Sequence, residues 1–263
     1  MQRFAHAGGT HLFLATQNYR GGPILDLANY SDQFDTTEAL ARRIGEETRV
    51  VAYPVLAPYP VDLLAASEQL GLAKAVELHR AAIDLAAQRV REHRAVALGE
   101  VGRPHFPVAA PEVMEASEAL LDAALAAAHD ADCPAIVHSE DLSDDGYRAL
   151  ADRGRRAGVP PERLVKHYAR RRYRPPEGEG PVRSYLARRE LFSEVLDDPG
   201  PWFLETDFLD DPTRPGAVLD LTTVPKRAAR LAEQDPARLE RLRIPFVESV
   251  HTVYGLSLIT PSG

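Results

Sequence analysis

A chain of 263 residues, 44% hydrophobic and 27% charged, is long enough for a large core and falls among ordinary globular proteins. Its single cysteine, Cys133, excludes an internal disulfide framework and gives no support to a cysteine-rich zinc module. The net charge of −8 argues against a surface built for non-specific nucleic-acid binding, though a local basic site is compatible with it. No apolar run approaches the ~18 residues of a membrane span, and the N-terminus lacks the apolar core of a signal peptide. No membrane association is therefore expected, and the cytoplasm is the expected compartment.

In chain order, MQRFAHAGG reads as the last turns of a helix ending at a glycine cap. Residues 10–17 and 49–58 predict strands, and no element is assigned to the intervening residues 18–48. Residues 61–93 are Ala- and Leu-rich, with Val76, Ile83, Ala86 and Val90 at helical spacing and Gly71 dividing a short helix from a longer one. Residues 95–102 predict a third strand. In 111–130, Pro111 opens a helix that places Val113, Leu120, Leu121, Ala124, Leu125 and Ala128 on one face. Strands follow at 134–139, 163–168, 180–187 and 201–207, with helices at 144–156 and 188–197. Residues 169–180 and 208–223 are loops by composition, and 224–258 is helical with interruptions near Pro236 and Pro245. Alternating strands and helices imply a mostly parallel sheet covered on its faces. A length near the ~250 residues of one (β/α)₈ barrel points to an α/β fold, a TIM-type barrel formed as a single domain over 1–263. Seven strands and an opening helix tail make that barrel one strand short, its first.

Four of the predicted strands end in residues suited to divalent metal: ALGEVG in Glu100, AIVHSED in His138, LVKHYA in His167 and FLETDF in Asp207. Ligands at the C-terminal ends of buried parallel strands are the arrangement of barrel active sites. A carboxylate such as Glu100 can bridge two cations, imidazoles such as His138 and His167 can hold one of them, and Asp207 can bind the other and take a proton from attacking water. Taken singly, each has a plainer reading as a polar strand end, a structural histidine or a turn cap. Their order and spacing together favour a metal-dependent hydrolase.

The set Glu in GEVG, His in each of the next two strands and Asp in ETD resembles the TatD-related metal-dependent hydrolases of the amidohydrolase superfamily. The longer strings GEVGRPHFPV, KHYA, ETDFLDDPTRPGAV and PKR are similar to its archaeal branch. The resemblance covers essentially the whole chain. It implies a TIM barrel with one or two divalent ions (Zn, Mg or Mn) that hydrolyses a phosphodiester, as a DNase does, or a related ester or amide. On it, Glu100 corresponds to the bridging ligand, His138 and His167 to ligands of one metal, and Asp207 to the remaining ligand and proton acceptor. The family opens with His-x-His on its first strand, and this sequence contains no His-x-His. Either that strand precedes Met1 in a longer reading frame or the protein does without it. In the second case one metal keeps Glu100, His138 and His167, while the other keeps only Glu100 and Asp207.

Three alternatives stay open: a phosphodiesterase acting on nucleic acid, an amidohydrolase acting on a small amide, lactone or phosphate ester, and a catalytically silent barrel. Arg170, with Arg171, Arg172 and Arg174, is a candidate for binding substrate phosphate, set against a solvated basic loop. Arg103 and His105 follow Glu100 closely enough to be candidates for substrate contact. The sequence does not fix the oligomeric state.

Overall fold

The computed structural model describes residues 1–19, 21–169, 180–209 and 218–258. Seven strands form one parallel sheet in sequence order: β1 (His11–Ala15), β2 (Val51–Leu56), β3 (Ala97–Gly102), β4 (Ala135–His138), β5 (Leu164–Ala169), β6 (Val182–Leu186) and β7 (Trp202–Glu205). Between them run α1 (Gln2–His6) ahead of β1, α2 (Leu27–Glu47), α3 (Asp62–Leu70), α4 (Leu72–Arg91), α5 (Pro111–Asp130), α6 (Asp144–Arg156) and α7 (Arg189–Val195). After β7 come α8 (Thr223–Gln234), α9 (Pro236–Leu239), a 3₁₀ turn (Glu240–Leu242), a π-helical turn (Ile244–Glu248) and α10 (Ser249–Tyr254). No described helix is long and apolar enough to cross a membrane.

The central strands are apolar on both faces because both faces are covered. Leu98, Ala135, Val137 and Leu164 pack outward with Ala82, Ile83, Ala86, Leu121, Ala124 and Leu125 of the helix layer. Ser143 caps α6 by accepting from the Gly146 N–H at 3.2 Å, and Asp26 caps α2 by accepting from the Asn29 N–H at 2.7 Å. The predicted strands all form, as do the helices around Gly71, at 111–130 and at 144–156. The structure adds α2, which the sequence reading left unassigned. Residues 170–179 of the predicted loop at 169–180 and 210–217 of that at 208–223 lie outside the described residues, and Ala169 belongs to β5.

The sheet is curled. β1 and β7 are its two edges, separated by five strands. A flat sheet would hold them roughly 29 Å apart at six strand spacings. Instead, the Phe13 and Phe203 rings on those edges are 6.2 Å apart, centroid to centroid. The interior formed by the curl holds Phe13, Ile136, Val165, Val182 and Phe203, together with Val250, Val253 and Tyr254 of α10. Tyr254 stacks on Phe13 at 4.1 Å and lies 5.7 Å from Phe203, so it stands between the two edge strands. This is a TIM-type barrel short of one strand. The gap falls between β7 and β1, where a strand preceding α1 would lie. His11, the first residue of β1, stacks beside Tyr53 and is not among the residues that converge at the strand ends.

Candidate metal centre

Each candidate ligand sits where its strand ends. β3 and β4 pair with a register shift between Gly99 and Val101, so Glu100 occupies the irregular position, a device that re-aims a side chain. Gly102 then pairs opposite His138 at φ 136°, and a Cβ there would lie 2.1 Å from the His138 carbonyl oxygen. Only glycine permits that approach. The carbonyl accepts from the Arg103 N–H at 3.1 Å, locking the two strand ends together. Asp207 follows β7 in the left-handed region, at φ 50°, and Tyr168, beside His167, is there at φ 54°. Left-handed backbone at a non-glycine residue persists where surrounding contacts hold it, and such residues gather at functional sites.

Glu100, His138 and His167 each present a ligand atom, all within 4.8 Å of one another. Glu100 Oε2 is 3.1 Å from His138 Nδ1, and Oε1 is 3.3 Å from His167 Nε2. The two carboxylate oxygens therefore face different imidazoles. Asp207 Oδ1 is 3.7 Å from the same His167 Nε2. Both histidines are buried, and Asp207 is about one-third exposed (32%). The structure thus brings Glu100, His138 and His167 together as one cluster, the one group of three or more such ligands found among the described residues, and sets Asp207 beside it, next to His167.

Burial opposes the charge on Glu100, but the His167 and His138 imidazoles and the Lys166 ammonium outweigh it and hold the carboxyl below its ordinary range. Burial likewise opposes protonation of His167, and Glu100, Glu205 and Asp207 outweigh it, raising its pKa. Lys166, almost fully buried, is lowered by desolvation to about 8 against the pull of Glu205, Glu140 and Glu100. It donates to the carbonyl oxygens of His167 and Ser139.

These residues fit a divalent cation. His138 Nδ1 is buried and has no hydrogen-bond partner although Glu100 is beside it, an arrangement whose lone pair suits a metal. Two imidazoles and a carboxylate are the donor set of open, three-ligand zinc sites.

The weaker candidates separate. His105 reaches the centre: its Nδ1 is 2.9 Å from His138 Nε2. The Arg103 guanidinium engages Glu140 through two nitrogens and also pairs with Glu118. Arg170 lies outside the described residues. Sequence reasoning passed over Tyr59, whose hydroxyl is 3.4 Å from His138 Nε2, and Glu205. Glu205 contacts His167 Nδ1 at 3.1 Å and accepts from the Tyr168 N–H at 2.8 Å and from the Ser184 hydroxyl. A signal for Glu205 was present, since it stands two residues before Asp207 and alternate residues of an extended segment share a face.

The model of the TatD related DNase family matches residues 1–255. The chain belongs to that family. An uncharacterized protein of Methanocaldococcus jannaschii is 28% identical over 256 residues, 97% of this chain and 89% of that protein. Among solved structures, a TatD homologue from Escherichia coli K12 superposes with a TM-score of 0.53 at 20% identity, covering 97% of this chain and 90% of that one. A TatD-like protein from Archaeoglobus fulgidus superposes at 0.56 with 14% identity, covering 92% and 91%. At those identities the two structures bear on the fold, and they agree with a barrel of this type.

Proposed function

We propose that this TatD-family chain is a metal-dependent hydrolase that cleaves a phosphodiester, in the manner of a DNase, at the centre formed by Glu100, His138, His167 and Asp207. The observation that carries the reading is the convergence of Glu100, His138 and His167 within 4.8 Å at strand ends, with the buried His138 Nδ1 left without a hydrogen-bond partner. A divalent cation held there supplies Lewis acidity, acidifying water and polarising the scissile phosphoryl group. Glu100, His138 and His167 would hold it, and their two imidazoles favour Zn²⁺ over the harder Mn²⁺ or Mg²⁺. Asp207 is the proton acceptor in this reading. It is the most exposed of the four, so its Oδ1 meets both the centre and incoming water. Among the described residues a second ion would have only Glu100 and Asp207, so a single tightly held ion is expected. His105, exposed beside His138, is the residue this reading gives to substrate contact.

Dialysed protein given Zn²⁺, Mn²⁺ or Mg²⁺ and a single-stranded oligonucleotide should shorten it, and EDTA should abolish the reaction. Hydrolysis of small esters, lactones or amides without nuclease activity would move the reading to an amidohydrolase on small molecules. Bound metal with no hydrolysis would mark a catalytically silent barrel, the reading that the lack of a His-x-His in this sequence favours.

A further inference from the structure

Glu205 ends β7 with its side chain largely enclosed, 16% exposed, and directed back across the strand ends. Both of its oxygens are used. Oε1 accepts from the Tyr168 N–H at 2.8 Å, Oε2 accepts from the Ser184 hydroxyl, and His167 Nδ1 lies 3.1 Å from one oxygen and 3.2 Å from the other. One carboxylate therefore ties β5, β6 and β7 together at the end of the barrel where the ligands converge.

We infer that Glu205 is a positioning residue that fixes the ring orientation and tautomer of His167, holding the proton on Nδ1 so that the Nε2 lone pair faces the centre. The inference rests on the metal-centre reading above. A neutral imidazole has one N–H and one lone pair. A carboxylate has only acceptors, so it demands the N–H of whichever nitrogen faces it. Nε2 faces Glu100 Oε1 at 3.3 Å and Asp207 Oδ1 at 3.7 Å, carboxylates that would turn to the cation on binding, so Nε2 is the nitrogen that gives up its proton, while Nδ1 keeps its own against Glu205, which is not a ligand in this reading. Partners of this kind on metal-bound imidazoles are worth about 10–100-fold in metal affinity. The surroundings maintain the arrangement: Tyr168 is kept left-handed at φ 54°, which aims its N–H at Glu205, and Lys166 in the same strand places an ammonium near the carboxylate.

The test replaces Glu205 by Gln, which keeps the shape and introduces an amide. The Tyr168 N–H and the Ser184 hydroxyl occupy opposite ends of the side chain. The amide oxygen can serve one end, and its NH₂ then occupies the other and weakens the demand for an N–H at His167 Nδ1. Zn²⁺ affinity is read by competition with a chromogenic chelator, alongside thermal melts of the metal-free proteins. The expected result is Zn²⁺ binding weakened about 10–100-fold in Glu205→Gln. A purely structural role would lower the metal-free melting temperature and leave the Zn²⁺ affinity of the folded protein unchanged, and that result overturns the inference alone. Failure of the wild type to bind Zn²⁺ overturns the metal-centre reading and this inference with it. Should Glu205→Gln fail to fold, long-range ¹H–¹⁵N spectra of the Zn²⁺-loaded wild type, with His167 assigned by comparison with His167→Gln, decide the matter. Nδ1 protonated and Nε2 metal-bound supports the inference, and the reverse tautomer overturns it.

Discussion

At the residue scale, His167 is enclosed by three carboxylates: Glu100 and Asp207 at Nε2, and Glu205 at Nδ1. Burial would lower its pKa from the ordinary 6.5, but the carboxylates outweigh burial and raise it. Metal-free protein therefore carries His167 as an imidazolium at neutral pH. By linkage, its contribution to stability is complete below about 6.5 and is lost as pH rises through the raised folded value. A cation must displace that proton. Metal affinity should thus increase with pH through the neutral range, with about one proton released per ion. Calorimetry in two buffers of different ionisation enthalpy counts the proton, and an affinity independent of pH would remove His167 from the ligand set. Asp207→Asn should lower kcat about 10²–10⁴-fold with KM little changed, because the lost group accepts a proton only as the reaction proceeds. Near-wild-type turnover in that variant would exclude Asp207 as the proton acceptor. The four ligand candidates were legible in the sequence because each interrupts or ends an apolar strand with a polar group. Tyr59 was not, since it reaches His138 from a loop whose path no periodicity records.

At the element scale, most boundaries were legible where local chemistry marks them: Pro111 begins α5, Ser143 caps α6, and Gly71, at φ 79°, separates α3 from α4. α2 was hidden because its buried face is partly polar, including Gln33, Thr37 and Glu38. The compensation lies in another element. Arg89 of α4 pairs with Glu38 at 2.9 Å and Asp35 at 2.7 Å, and Arg94 pairs with Glu38 at 2.7 Å. Only the tertiary fold supplies those partners. Arg89 and Glu38 side chains are 4% and 6% exposed, so removing one leaves a poorly compensated buried charge. Arg89→Met should cost about 3 kcal/mol of stability. Urea denaturation measures it, and a change near zero would mean that Arg94 alone satisfies Glu38.

For the whole molecule, the consequence of seven strands is a seam. Among the described residues β1 and β7 each pair on one side only, and all five β1 residues are partly exposed. Unpaired edges are normally covered or blunted. Here the side chains of Phe13, Phe203 and Tyr254 close part of the gap. Tyr254→Ala should destabilise the fold by about 3 kcal/mol, as expected for deleting a packed aromatic ring, and a melt unchanged from wild type would show that the wedge carries no stability. Joining a strand with His-x-His ahead of α1 should raise the melting temperature and add a second tightly bound ion. The strand count and the one-strand deficit were legible in the sequence. The closing role of α10 was not, because Tyr254 meets its partners across more than 200 residues of chain separation in one case. The most direct measurement of the central claim is metal content after Zn²⁺ loading and exhaustive dialysis, in the wild type and in His138→Ala/His167→Ala. One ion per chain in the wild type and none in the double variant is the predicted result. No retained ion in the wild type, or the same ion retained by both, would contradict a metal centre at these strand ends.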